Sequence, residues 1–147
     1  MTPQRITLIT LGVADMARAR AFYAALGWRE HKQSQAGITF YQANGFVLGL
    51  FGLGPLAADQ GRPDATLGTG ASTLAQNFAT EAEVDAAYAQ AIAAGATPLK
   101  APEKVFWGGY SGYFADPDGH VWELAMNPFW PLNSDGSLTL PDPADAD

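Results

Sequence analysis

The chain alternates short apolar strands with helical stretches, and its first half predicts the order β, α, β, β, β. Residues 5–13 have the β-branched and leucine content of a buried strand. Asp15 follows as the cap of a predicted helix whose apolar side chains fall at helical spacing, and Gly27 ends that helix. Short strands are then predicted at residues 28–32, 37–42 and 46–51.

The second half predicts the same order again. Residues 72–79 read as a strand, and Thr80 with Glu83 three residues later forms a capping box at the start of a helix that Gly95 ends. Three more strands follow, at residues 97–100, 110–115 and 120–126. The two halves therefore repeat one pattern, although few residues are identical.

Aligning the halves with Tyr23 on Tyr88 and Gly45 on Gly119 superposes their predicted strands without large gaps. The repeat predicts one domain over residues 1–130 and an arm with an acidic tail over 131–147. Within the domain, the predicted parts are module one at 5–51, a linker at 52–71 and module two at 72–128.

The linker is rich in glycine and proline, and it is long for a turn, so we expect it to contain no regular element and to cover a cleft. After Pro141 the tail is acidic, and we expect it to be frayed.

Composition narrows the function classes. A chain of 147 residues, 48% of them apolar, suits one compact core. A net charge of −7 without any basic run argues against nucleic acid and anionic membranes as partners. The chain has no cysteine, which removes thiol chemistry, and it shows neither a signal peptide nor a membrane span. We expect a soluble cytoplasmic protein whose partner is a small molecule.

One acid stands out in the stretch YFADPDGHVWELAMNP. Strand alternation sends Trp122 and Leu124 to one face and Glu123 to the other. Glu123 has three interpretations: a metal ligand, a general base with a pKa raised by an apolar pocket, or an acid hydrogen-bonded to a tyrosine or to Gln76. A structural or ligand-anchoring role is favoured, and the general base comes second.

The stretch KVFWGGYSGY combines flat rings with small residues. Trp107, Tyr110 and Tyr113, beside paired glycines, would let a ligand approach the backbone closely. The alternative is a hairpin whose aromatic rings close one end of the fold. Both interpretations stay open.

The two histidines are predicted to be structural. His120 follows a turn and lies on the opposite face from Glu123, so it is expected to pack or to bond the turn. His31 lies in a charged stretch and is expected to be exposed.

Two motifs at a characteristic separation carry a family resemblance. Asp15, Phe22-Tyr23 and Leu26-Gly27 form D-x6-FY-x2-LG, and residues 114–124 form F-x-DPDG-x2-WEL. Residues 5–128 thereby resemble the vicinal oxygen chelate superfamily, which includes glyoxalase I, bleomycin-resistance proteins and extradiol dioxygenases. The resemblance implies an α+β fold of two βαβββ modules forming an open curled barrel around a cleft, commonly in a homodimer.

The resemblance also implies where a metal would bind. Carried over position by position, the four ligand positions fall on Leu8, Thr73, Gly49 and Glu123. Only Glu123 is a strong donor, and adding nearby Gln76 still leaves the set incomplete, because such metals need three or four protein ligands. We therefore expect no metal and no cofactor.

The sequence thus predicts a metal-free small-molecule-binding protein of the bleomycin-resistance type, with a cleft for an apolar or aromatic compound. The alternative is a glyoxalase- or dioxygenase-like enzyme that uses Glu123 as general base or as one ligand of a weak metal site. The predicted ligand-binding residues are Gln76, Trp107, Tyr110, Tyr113 and Glu123.

Overall fold

The computed structural model describes residues 1–143, which form two sheets and three helices. Sheet A and the first helix come from β1 (Leu8–Val13), α1 (Met16–Ala25), β2 (Ile38–Gln42) and β3 (Val47–Gly52). Helix α2 (Leu53–Asp59) follows. Sheet B and the last helix come from β4 (Thr73–Asn77), α3 (Glu81–Ala93), β5 (Thr97–Lys104), β6 (Tyr110–Ala115) and β7 (Val121–Met126).

The two sheets share one topology, although sheet A has three strands and sheet B four, and this confirms the α+β fold of two related modules. The strand order is β1-β3-β2 in sheet A and β4-β7-β6-β5 in sheet B. In each sheet the first strand runs parallel to the last, and the hairpin neighbours are antiparallel. A parallel pair needs a crossover connection, and the helix after each first strand is part of it.

The predicted helix ends are confirmed. The Asp15 side chain accepts a hydrogen bond from the Arg18 backbone N–H (3.1 Å) at the start of α1. At the start of α3, the Thr80 hydroxyl accepts from the Glu83 backbone N–H (3.2 Å) and donates to the Glu83 carboxylate (3.0 Å). Gly27 follows α1 with a φ of 91°, a conformation that glycine adopts at low cost.

The predicted strand at residues 28–32 is wrong, because this segment is a loop. Arg29, Glu30, His31 and Lys32 are all exposed, so the segment has no apolar face to bury in a sheet. A hydrogen bond from the His31 N–H to the Phe40 carbonyl (2.6 Å) ties the loop to β2.

The linker was also expected to contain no regular element, and that prediction is wrong. Helix α2 occupies its first third, with Pro55 in the first turn, where a missing N–H costs nothing. A Cβ added to Gly12 on β1 would lie 2.8 Å from a methyl carbon of Leu53 and 3.2 Å from one of Leu56. Leucine contacts with β1 therefore hold the helix in place. The glycine and proline residues of this segment had led to the prediction of an irregular linker.

The core lies between helices α1 and α3 and one face of each sheet. We call these the helix faces, and the opposite sides the far faces. The core contains aromatic residues of α1 and leucines of both sheets: Phe22, Tyr23, Leu48, Leu50 and Leu124. Across residues 1–143, no helix has the length and apolar content to cross a membrane. The end of the predicted frayed tail, residues 144–147, lies outside the described residues.

Candidate functional site

Strand β7 alternates between the core and a cavity, as its sequence predicts. Trp122 and Leu124 are 5% and 1% exposed on the helix face of sheet B. Glu123 lies between them on the far face and is partly exposed. The two faces have different roles and are described in turn.

On the helix face, a buried hydrogen-bonded cluster joins the two modules. The Tyr23 hydroxyl of α1 donates to Asp116 Oδ2 (2.7 Å) and accepts from Trp122 Nε1 (3.1 Å). Asp116 Oδ1 accepts the backbone N–H groups of Asp118 (3.0 Å) and His120 (2.9 Å). Burial, followed by the charge of Asp116, raises the pKa of Tyr23 well above its usual value. We call Tyr23, Asp116 and Trp122 the hub.

The turn after β6 contacts module one a second time. Asp118 Oδ1 accepts from the Ala14 N–H (2.8 Å) and from the Arg18 guanidinium (3.0 Å). His120 Nε2 lies 2.7 Å from the Gly12 carbonyl oxygen. The predicted hydrogen bond of His120 is therefore made to β1 of module one and not to the turn, and the DPDG motif docks the modules.

On the far face, Glu123 opens into a cavity of about 700 Å³, which we call the Glu123 cavity. Its walls come entirely from residues 75–138, and Glu123 is the one charged side chain among the described residues that line it. The arm closes one side and is tied to module one by Asn44 Nδ2, which donates to the Asp135 carbonyl (3.0 Å). Its apolar lining includes Ala125, Phe129, Trp130, Leu132 and Leu138.

Tyr113 is the residue beside Glu123 that sets its hydrogen bonding. The two are directly paired across β6 and β7, so their side chains share the far face. Burial first, and then the charge of Glu123 and a hydrogen bond to it, raise the pKa of Tyr113 above its usual value. The protonated phenol lies beside the carboxylate, to which it can donate a hydrogen bond. The tyrosine partner was one of the predicted interpretations of Glu123.

The paired glycines bring aromatic rings onto the β5–β6 loop. An added Cβ at Gly109 would clash with the Trp107 ring, so a larger residue there would displace the ring. An added Cβ at Gly108 would lie 3.2 Å from the Phe129 ring. The Trp107 and Phe129 rings both border the Glu123 cavity, so this stretch lines the candidate site.

The five predicted ligand-binding residues do not form one site. Trp107 lines the Glu123 cavity, and Tyr113 is paired with Glu123 on the far face but does not line the cavity. Gln76 is paired with Leu124 and therefore lies on the helix face of sheet B. Tyr110 donates to the Asp85 carboxylate of α3 (2.6 Å), and that bond is the main cause that raises its pKa to about 12. The alternation of side chains along β4 could have placed Gln76 on the opposite face from Glu123. No local feature of the sequence predicts that Tyr110 bonds Asp85.

The residues at the four family metal positions do not fit a metal. Leu8 and Gly49 share the far face of sheet A, and Thr73 and Glu123 share the far face of sheet B. Leu8 and Gly49 have no side-chain donor, and Thr73 supplies only a neutral hydroxyl. Nowhere in residues 1–143 do three His, Cys, Asp or Glu side chains group in a way that could hold a metal ion.

The protein thus consists of two modules joined by the hub, with the Glu123 cavity beside sheet B. Comparison with known proteins identifies its family. The family model for the Glyoxalase/Bleomycin resistance protein/Dioxygenase superfamily matches residues 5–124. The chain belongs to that superfamily.

Solved structures share this fold over nearly the whole chain. A glyoxalase-related enzyme from Fulvimarina pelagi is 39% identical, with a TM-score of 0.88 over 95% of this chain and 100% of that one. A glyoxalase/bleomycin resistance protein/dioxygenase family enzyme from Burkholderia phytofirmans PsJN is 22% identical, with a TM-score of 0.73 over 83% and 98%. A lactoylglutathione lyase from Agrobacterium tumefaciens is 23% identical, with a TM-score of 0.66 over 90% and 100%. No curated protein matches the chain.

Proposed function

We propose that this chain binds a small molecule without a metal, on Glu123, in the cavity between sheet B and the arm. The observation that carries the proposal is a single carboxylate facing aromatic and aliphatic walls. Small-molecule sites are typically apolar cavities that contain a few polar groups. The ligand class is a compound with an apolar or aromatic body and a cationic or hydrogen-bond-donating group that reaches Glu123.

The polar contacts of Glu123 support an anchoring role. Tyr113 is its neighbour across the strands, and no ion pair involves Glu123 within residues 1–143. A carboxylate has about four lone-pair sites, so one phenol leaves acceptor capacity for a ligand. Trp107 and Trp130 border the same cavity and offer ring faces to a cation or to an aromatic group.

We also propose that the protein is a cytoplasmic homodimer. The arm covers part of its own chain through Leu132 and Leu138, which line the Glu123 cavity. Phe129 and Leu140 nevertheless stay 64% and 63% exposed, and Leu8 is 48% exposed on the far face of sheet A. Large apolar side chains in such numbers favour a protein partner. Light scattering at micromolar concentration should give the mass of two chains, and the mass of one chain would refute the dimer.

The second candidate function is an enzyme that uses Glu123 as general base. The position of this carboxylate in an apolar-walled cavity favours it, as does the 39% identity to a structure described as a glyoxalase-related enzyme. Such a base would remove a proton from a carbon next to a carbonyl group. Exchange of that hydrogen for solvent deuterium, catalysed by the wild-type protein and abolished in Glu123→Gln, would make the enzyme the leading function.

The binding proposal is tested with a charged and a neutral probe of the same shape. 2-Naphthylmethylammonium and 2-naphthalenemethanol are titrated while the indole N–H signals of Trp107 and Trp130 are followed by NMR. Glu123→Gln should weaken the ammonium probe about tenfold, because a charge-assisted contact is lost, and should leave the alcohol nearly unchanged. Glu103→Gln removes the same charge from exposed strand β5 and serves as the control. Equal effects of the two variants would refute the role of Glu123.

A further inference from the structure

A second cavity lies between the two modules, on the side of β4 opposite to the Glu123 cavity. Its volume is about 700 Å³, and both modules line it. It shares only Ala75, Asn77 and Gly136 with the Glu123 cavity. We call it the seam cavity. Its side-chain walls include Ile9, Trp28, Tyr41, Phe46, Leu48, Leu74, Gln76, Phe78 and Trp122.

Aromatic rings held in fixed orientations form one wall of the seam cavity. Trp28 meets both Tyr41 and Trp122 edge to face, with ring centroids 5.7 Å apart in each pair. Tyr41 is 2% exposed, and Trp122 is held by its hydrogen bond to Tyr23. Rings that cannot rotate away lose little entropy on binding, so this wall suits a flat aromatic ligand.

Two polar side chains of the seam cavity, Gln76 and Arg29, have no partner within residues 1–143. The Gln76 amide makes no hydrogen bond there, and the side chain is partly buried. Its polar atoms are not among the buried atoms without a partner, so they are open to the cavity and available to a ligand. Arg29 lines the cavity and forms no ion pair within the same residues.

The charge of the seam cavity is opposite to that of its neighbour. The described lining residues contain no Asp or Glu, and Arg29 is the one charged side chain among them. The whole chain carries 15 acidic residues against 8 Lys and Arg, so a cavity without any acid departs from the average. The Arg29 guanidinium is therefore the group in the lining that can pair with an anionic ligand.

We propose that the seam cavity is a second small-molecule site, which binds a planar aromatic carboxylate. The ring of the ligand packs against Trp28, whose orientation is set by Tyr41 and Trp122, its carboxylate faces the Arg29 guanidinium, and Gln76 bonds a polar substituent. The proposal does not depend on the Glu123 cavity, because the two sites select opposite charges.

The four tryptophans of the chain allow the two cavities to be monitored separately. Trp28 and Trp122 line the seam cavity, whereas Trp107 and Trp130 line the Glu123 cavity. The experiment titrates 2-naphthoate into ¹⁵N-labelled protein and follows the four indole N–H signals, assigned with Trp→Phe variants. We expect saturable shifts of Trp28 and Trp122, and none of Trp107 and Trp130.

Two variants test the recognition. Arg29→Gln should weaken 2-naphthoate about fivefold, a modest factor because Arg29 is exposed. Gln76→Leu should weaken 2-naphthoic acid derivatives that carry a ring hydroxyl more than it weakens 2-naphthoate itself. Arg5→Gln makes the same charge change at an exposed residue outside the cavity, and should have no effect.

Three outcomes would overturn the proposal. They are shifts of Trp107 and Trp130 in place of Trp28 and Trp122, no saturable shift up to millimolar 2-naphthoate, and equal losses in Arg29→Gln and Arg5→Gln. Failure of the ammonium probe at Trp107 and Trp130 would refute the proposed function alone, since those indoles report the other cavity.

Discussion

On its helix face, strand β7 presents Trp122 to a buried cluster of hydrogen bonds, whereas on its far face it presents Glu123 to a cavity. These two adjacent residues have different partners. Trp122 Nε1 donates a hydrogen bond to the Tyr23 hydroxyl of the other module, whereas Glu123 lies beside Tyr113 of its own sheet. One face therefore stabilises the contact between modules, and the other leaves acceptor capacity free for a ligand.

The difference shows which part of the family signature is structural. Tyr23 from the FY pair and Asp116 from the DPDG turn meet at 2.7 Å in the hub, far along the chain from one another. These residues hold the fold that the superfamily shares, so they say little about what an individual member binds. The proposed function places the chemistry of this chain instead in Glu123 and in the aromatic residues around it.

The largest expected effect comes from a matched pair of carboxylate-to-amide changes on the two faces. Asp116→Asn should lower the free energy of unfolding by about 3 kcal/mol, because the Tyr23 hydroxyl loses a charged acceptor in a buried site. Glu123→Gln should change it by less than about 0.5 kcal/mol, since Glu123 is partly exposed. Urea unfolding followed by circular dichroism measures both.

Equal losses of stability in the two variants would contradict this division of roles. A loss confined to Glu123→Gln would reverse it, and would make Glu123 a structural acid and not a ligand anchor. Asp116→Glu is a useful third variant, because it keeps the charge but lengthens the side chain in a filled site.

The next largest effect is the pH dependence of the stability that Tyr23 contributes to the hub. Tyr23→Phe should cost about 2 kcal/mol at pH 7, because Asp116 Oδ2 loses its donor and Trp122 Nε1 its acceptor. The pKa of Tyr23 is raised in the fold, so its proton is retained there above pH 10, where an unfolded tyrosine ionises. The stability contributed by that proton is present below about pH 10 and is lost as the pH rises further.

The difference between wild type and Tyr23→Phe should therefore shrink above pH 10, by about 1.4 kcal/mol at pH 11. Urea unfolding at pH 7, 10 and 11 measures it. Tyr41 also has a raised pKa, of about 12, mainly through burial, so the Tyr41→Phe difference should shrink above pH 10 as well and is the positive control for a buried tyrosine. A constant difference across these pH values would show that the Tyr23 phenol is not protected in the fold.

Much of this fold could be predicted from local signals. The caps at Asp15 and Thr80 and the alternation around Glu123 are read from neighbouring residues, and the structure has all three. The paired modules could be predicted because the same order of elements occurs twice.

The sequence predictions were wrong where contacts between residues distant in the chain determine the local structure. Helix α2 depends on leucine contacts with β1 near Gly12, and the loop at residues 28–32 is set by its exposed charges together with Trp28 packing in the core. The separation of Gln76 from Glu123 depends on the register between β4 and β7, which pairs Gln76 with Leu124. A one-residue change of register moves a side chain to the other face, so small errors have large consequences for a site.

The smallest expected effect is that of a chelator. It tests whether the far faces bind a metal ion at the four family positions. Leu8, Gly49 and Thr73 leave Glu123 as the single strong donor at the family positions, and water would have to fill the remaining coordination sites, as it already does for a free ion. We expect purified protein to contain far less than one equivalent of zinc, iron, nickel or manganese by elemental analysis. EDTA should leave the Tm unchanged, and Glu123→Gln should not alter the metal content. A stoichiometric metal that EDTA removes with a fall in Tm would contradict this prediction. It would mean that a donor set shared between chains completes the site, and it would favour the enzyme over the binding protein.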